Sequence, residues 1–168
     1  MPLPSGRLAL WLTLDAVTGI GPVTAARLLA HFGGDIVTLF DTDDGALRAL
    51  GLQSAQIQQM RWPQPVVEQA LSWAAEPGNH ILCPDDPAYP ALLKEIPAAP
   101  LLLYCRGDIA SLSLPQLAMV GTRHPTYAGK DNAARLCGEL VACGLAITSG
   151  LALGIDGVCH QQALVAGG

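Results

Sequence analysis

Between Leu117 and Gly168 the sequence runs twice through one cycle, and that repetition constrains the fold more than any other feature. Leu117 to Val120 is a short apolar run ending at Gly121, followed by an amphipathic stretch from Tyr127 to Cys143 that Gly144 closes. Leu145 to Thr148 is a second apolar run ending at Ser149-Gly150. A second amphipathic stretch follows from Asp156 to Ala166, stopped by Gly167-Gly168. Short apolar runs that alternate with helical periodicity predict strand–helix–strand–helix. Strands joined through a helix run parallel, with a right-handed crossover. Such strands are covered on both faces, and a composition of 51% hydrophobic and 14% charged residues fits that burial. The predicted class is α/β with a parallel sheet. The cycle breaks off at Gly168 where a third strand is due, so the chain reads as part of a longer protein. Poor solubility or association through the open sheet edge is expected.

The character of the chain changes near Glu76-Pro77-Gly78. Before it the pattern is helical. Leu8, Leu12, Ala16 and Val17 share one helix face, and Ala25, Leu28, Leu29 and Phe32 share another that Gly33-Gly34 ends. Shorter helices are expected over Ile36 to Phe40, Leu47 to Leu50 and Ser54 to Arg61, and a last one over Pro65 to Ala75 with proline in its first turn. After Gly78, His80 to Cys83 and Leu101 to Cys105 read as strands, with a short helix over Tyr89 to Glu95 between them. The expected domains are a helical one over 1–78 and an α/β one over 79–168.

Composition excludes several classes. No apolar stretch reaches the roughly 18 to 20 residues of a membrane span, and no signal peptide is read at the N-terminus. The five cysteines, Cys83, Cys105, Cys137, Cys143 and Cys159, show no CxxC spacing. They read as small buried hydrophobes in a reducing cytoplasm, with no metal site and no disulfide framework. The net charge of −5 argues against a broad grip on duplex DNA. One basic cluster stands out, formed by Arg123, Lys130 and Arg135 with His124 beside them.

That cluster adjoins the loop Gly121-Thr122-Arg123, at the carboxyl end of the first parallel strand, where open α/β sheets form their binding crevice. Glycine admits a ligand to the backbone, threonine offers a hydroxyl, and arginine offers a planar fork for phosphate oxygens. The helix starting near Thr126 adds amides at its N-terminus. The second strand ends in Ser149-Gly150-Leu151-Ala152-Leu153-Gly154-Ile155-Asp156, and parallel pairing sets this loop beside the first. Two glycine-bearing loops on one crevice form a phosphate cradle. Asp156 reads first as a helix N-cap. His160, one turn on, either bonds Asp156, faces the crevice or is buried and satisfied. Tyr127 is either a stacking ring or a packed aromatic at the helix start. Lys130 and Arg135 fall on the exposed helix face.

Other chemistries fail on spacing. Gly129-Lys130 is followed by Asp131 and lacks the first glycine of a P-loop. The first turn lacks the Gly-x-Gly-x-x-Gly of a dinucleotide site, and the second strand ends in Ser149 rather than a ribose-binding carboxylate. No nucleophile elbow is present. No cofactor and no catalytic residue are expected. Gly19-Ile20-Gly21 opens a helix in the manner of a helix–hairpin–helix turn, but the surrounding segment is acidic and a structural role is preferred.

Taken together, Asp86-Pro87-Ala88-Tyr89-Pro90, Pro100 to Asp108, Met119 to Arg123, Tyr127-Ala128-Gly129 and Ser149 to Asp156 with His160 resemble the N-terminal half of the DNA-processing protein A (DprA/Smf) family, in order and spacing. The resemblance implies a sterile-alpha-motif-like or helix–hairpin–helix-like helical domain followed by an incomplete extended Rossmann domain. It implies single-stranded DNA binding in the cytoplasm, loading of a RecA-type recombinase during DNA uptake and natural transformation, and a homodimer in the complete protein. It implies no enzymatic activity. The family's DNA pocket maps onto Gly121, Thr122, Arg123, Ser149, Gly150, Ala152 and Gly154, with Tyr127, Lys130, Asp156 and His160 as accessory positions. A further phosphate-contacting lysine, the dimer surface and the recombinase contact are expected beyond residue 168. Two alternatives stay open. One is a nucleoside-monophosphate-binding, phosphoribohydrolase-like enzyme, whose Pro-Gly-Gly-x-Gly-Thr loop is absent up to Gly168. The other is a structural fragment that binds no DNA.

Overall fold

A computed structural model describes residues 6–62 and 64–168. The chain separates into two compact units, one up to Ile109 and one from Ala110 onward.

The first unit begins with six helices, α1 (Arg7–Ala16), α2 (Pro22–Ala30), α3 (Ile36–Asp41), α4 (Asp44–Ala49), α5 (Ser54–Arg61) and α6 (Pro65–Ala74). Each follows the apolar spacing of its segment within three residues. Their ends are fixed locally. Asp35 accepts the amides of Val37 and Thr38 at 3.2 and 3.1 Å, and Asp43 accepts those of Gly45 and Ala46 at 2.9 and 3.1 Å. Both are N-caps that satisfy otherwise orphaned donors. Arg61, at the end of α5, donates to the carbonyls of Phe40 and Thr42 and pairs with Asp44 at 3.2 Å. It thereby ties α5 to the turn between α3 and α4.

α1 buries two faces. Trp11 and Leu14 enter the main core with Leu28, Ile36, Leu39, Leu47 and Met60. Ala9 and Leu12 enter a smaller core with Val67 and Ala70 of α6. Thr13, also buried, returns its hydroxyl to the Ala9 carbonyl at 2.7 Å, while the buried Nε1 of Trp11 has no partner among the described residues.

The unit continues through strand β1 (Asn79–Leu82), the short helix α7 (Ala91–Lys94) and strand β2 (Leu103–Arg106). β1 and β2 pair antiparallel, with Ile81 opposite Tyr104. Ile81 lies in the smaller core, and Cys83 and Leu101 lie in the main one. The change of character at Glu76-Pro77-Gly78 is therefore a change of secondary structure on a shared core, and the packing divides further on, after Ile109.

In the second unit β3 (Gln116–Ala118) leads to α8 (Tyr127–Ala142), β4 (Ala146–Thr148) and α9 (Ile155–Val165). β3 and β4 pair parallel, in the register Gln116–Ala146, Leu117–Ile147, Ala118–Thr148. The expected strand–helix–strand–helix cycle is thus present. Its expected burial is not. All of β3 is exposed and β4 is at most half-buried. Met119 and Ile147 pack against the α8–α9 layer around Ala133, Cys137 and Cys159, whereas Leu117 and Val120 are exposed. One helical layer covers one face of a strand pair, and full burial needs a second layer. The cysteines divide likewise. Cys83, Cys137 and Cys159 are buried, Cys105 is half-buried and Cys143 is exposed. Among the described residues no helix is long and apolar enough to cross a membrane.

Leu39 has no exposed surface and sits in the main core, while Val37 beside it is 39% exposed. Leu39→Ala is expected to lower stability in urea unfolding by about 2–5 kcal/mol. Val37→Ala is expected to stay within roughly 0.5 kcal/mol of the parent.

Candidate nucleic-acid interface

β3 and β4 point their carboxyl ends the same way, so the loops that leave them, 119–126 and 149–154, emerge side by side. Backbone bonds stitch them together. The Met119 amide donates to the Thr148 carbonyl at 2.9 Å, and the Ile155 amide donates to the Thr122 carbonyl at 3.1 Å. The Ser149 hydroxyl donates to the Met119 carbonyl at 2.6 Å.

Two glycines permit this contact for steric reasons. Gly154 has φ +90°, and a Cβ there would lie 2.3 Å from the Thr122 carbonyl oxygen and 2.7 Å from the Arg123 Cα. A Cβ on Gly121 would lie 2.6 to 2.8 Å from three side-chain carbons of Ile155. The loops are interlocked: each glycine makes room for the backbone or side chain of the other loop.

Asp156 is the hub. It is expected as the N-cap of the last helix, but Gly154 holds that place, and Asp156 lies within the first turn of α9 with 6% of its surface exposed. Its carboxylate turns back to the loops. The Gly150 amide donates to it at 3.1 Å, and the amides of Gly121 and Ala152 also act on it. Burial pushes this carboxyl up. The backbone amides of Ala152, Gly121 and Gly150 together outweigh burial and hold it below the usual carboxylate range. The amides expected to grip a ligand at Gly121, Gly150 and Ala152 therefore point inward, because a buried charge must be satisfied first. Gly121, Ser149, Gly150, Ala152 and Gly154 line the floor of the crevice at the ends of β3 and β4.

The outward donors come from the first loop. Thr122 accepts the His124 amide at 3.1 Å through its hydroxyl oxygen, which leaves the hydroxyl hydrogen available. Arg123 is exposed and has no ion-pair partner among the described residues. Next to it α8 begins, with Thr126 as N-cap accepting the Gly129 amide at 3.1 Å. The positive end of a 16-residue helix thus adjoins Arg123 and His124. Tyr127 is 88% exposed, which removes the reading of a packed aromatic. Lys130 is exposed on α8, and Arg135 pairs with Glu139 one turn on at 3.5 Å. His160 is half-buried with no hydrogen-bond partner on Nε2, so it is not the satisfied histidine that burial suggests.

Three apolar side chains at the site had no part in the sequence reading. Val120, Leu151 and Leu153 are 77%, 84% and 82% exposed, and Leu151 has φ +56°. A signal existed in the alternation Gly150-Leu151-Ala152-Leu153-Gly154, where large residues flank small ones. Gly19-Ile20-Gly21 behaves structurally. Ile20 is buried, and α5 covers the turn through Gln59 on the Thr18 amide at 2.9 Å and Gln56 on the Thr18 carbonyl at 3.2 Å.

Two variants test the interlock. Gly144 also has a positive φ, +83°, but open space where a Cβ would stand. Gly144→Ala is expected to cost about 1–2 kcal/mol from backbone strain alone, and Gly154→Ala clearly more, read as urea midpoints. Equal costs would show that the loops do not interlock. Asp156 stabilises the fold while ionised. That contribution is present above the ordinary carboxylate pKa near 3.8 and is lost as pH falls through the lowered folded value. Asp156→Asn is expected to be less stable at neutral pH and to show a flatter loss of stability in the acid limb.

Comparison with known proteins gives a consistent placement. Residues 80–168 match the family described as DNA recombination-mediator protein A, and residues 7–72 match the SMF/DprA SAM domain. The chain is 32% identical to Protein Smf of Escherichia coli over 95% of its own length and 42% of that protein. It is 36% identical to DNA processing protein DprA of Bacillus subtilis over 62% of its own length and 35% of that protein. The crystal structure of DNA processing protein A from Streptococcus pneumoniae superimposes with a TM-score of 0.70 at 23% identity, covering 97% of this chain and 55% of that one. The chain thus spans less than half the length of the curated relatives it matches. It pairs a helical SAM domain with a mixed α/β region carrying a small parallel sheet, and it belongs to the DprA/Smf family of DNA recombination mediators.

Proposed function

We propose that the crevice of the second unit binds single-stranded DNA through its phosphates, as part of a protein that helps load a RecA-type recombinase during DNA uptake and transformation. The observation that carries this reading is Arg123. It is an exposed, unpaired guanidinium beside the first turn of α8, at the mouth of two interlocked loops. A guanidinium fork suits phosphate oxygens, and helix N-terminal amides favour the same charge. The exposed ring of Tyr127 and the side chains of Val120, Leu151 and Leu153 offer apolar ground for unstacked bases. A duplex hides its base faces, so this combination favours a single strand.

The function needs no catalytic step: the protein binds DNA and presents it. The net charge of −5 keeps the grip local, because the rest of the surface does not attract phosphate. In the complete protein we assign the recombinase contact and the homodimer surface to segments beyond residue 168, and the site of action to the cytoplasm.

Anisotropy of a labelled oligothymidine, against a duplex of equal length, tests this on the present chain and on the full-length protein. Saturable binding selective for the single strand is expected. Its salt dependence should be shallow, at a log–log slope of about −0.7 per phosphate contacted. Arg123→Ala is expected to weaken binding by about 1–3 kcal/mol, the value of a charge-assisted contact. Unchanged affinity in a variant with an unchanged circular dichroism spectrum would remove Arg123 from the site.

A further inference from the structure

Trp11 of α1 is 2% exposed, and its indole Nε1 is buried with no hydrogen-bond partner among the described residues. A donor left in that state costs stability until an acceptor meets it. Trp11 also lines a cavity of about 330 Å³ in the first unit, between α2 and the segment that follows α7. We propose that this cavity is a binding site for a small aliphatic carboxylate. Its chain fills the apolar interior, and its head supplies the acceptors that Trp11 and Lys94 lack.

The lining selects the ligand. Leu29, Ile96, Pro97 and Leu101 present hydrocarbon, so most of the wall offers no hydrogen bond. Three lining side chains are polar, namely Trp11, Asp85 and Lys94. Asp85, the acceptor among them, is already paired with Arg7. Lys94 is exposed, with its ammonium 5.6 Å from the centre of the Tyr89 ring and no carboxylate partner among the described residues. An indole and an ammonium both donate and cannot accept. The polar groups left open at this cavity are therefore donors, and one of them is positive. A plain hydrocarbon leaves the indole unmet, and a cation brings further donors beside Lys94. A carboxylate brings acceptors together with the opposite charge. The volume lies at the small end of ligand clefts, which suits a short chain.

All the lining residues belong to the first unit, whereas the crevice loops belong to the second. The proposal therefore stands whatever the crevice binds.

The test follows the indole N–H resonances of the native chain, isotope-labelled on tryptophan, through a titration with sodium octanoate below its micelle concentration. The chain has three tryptophans. Trp62 is exposed and Trp73 half-buried, so Trp62→Phe and Trp73→Phe identify two resonances without disturbing the core. The resonance that both variants retain belongs to Trp11, and it is expected to shift saturably with octanoate. Octylammonium, with the same chain and a donor head, is expected to bind at least about tenfold more weakly. That order is the reverse of what the net charge of −5 alone would give. Lys94→Ala is expected to weaken octanoate binding about two- to fivefold, as befits an exposed charge. A Trp11 resonance that octanoate leaves in place, equal affinity for the two amphiphiles, or unchanged affinity in Lys94→Ala overturns the proposal.

Discussion

A carboxylate taken out of water needs donors around it, and at Asp156 those donors come from two separate loops. The amides of Gly121, Gly150 and Ala152 act on one side chain on the first turn of α9. That interaction fixes the geometry of the crevice. It draws the loop after β3 and the loop after β4 to a common point, and Gly121 and Gly154 are the positions where the resulting closeness forbids a Cβ. It also separates scaffold from contact. The inward amides are occupied, so an anion entering the crevice meets what points outward: the Arg123 guanidinium, the Thr122 hydroxyl and the first turn of α8. A floor held by a buried charge, with an exposed guanidinium at the rim, suits a ligand recognised by backbone charge rather than by sequence.

The two compact units differ in how they are held. The first has a continuous core in which α1 contributes to both clusters and the β1–β2 ribbon closes over the helices. The second has a small core between α8, α9 and one face of two short strands, and leaves Leu117, Val120, Leu164 and Val165 exposed. Apolar surface left open around a parallel strand pair is the pattern of a sheet that further layers complete. The chain spans 42% of the Escherichia coli relative.

The helical half was legible because its information is local. Apolar spacing and the stop at Gly33-Gly34 act within a few residues, and the helices appear where those signals lie. The order of strands and helices in the second unit, and the pairing of its two loops, were legible because parallel pairing follows from the crossover. Burial of the strands was not legible, since composition does not say which face a layer covers. Nor was the direction of Asp156. An acidic residue at the start of a helix reads as a cap, and only the approach of the loop from Gly121 gives it a different set of donors. Leu151 with its positive φ follows from loop closure, against its own preference.

The most direct test of the account is where a single strand touches this chain. Amide resonances of the isotope-labelled chain, followed through a titration with oligothymidine, report every backbone position at once. The account predicts shifts concentrated in 122–130, with smaller ones at 151–153 and little change at the inward amides of Gly121 and Gly150. Shifts centred on the turn at 18–21, or on no defined region while the oligonucleotide binds, would contradict it.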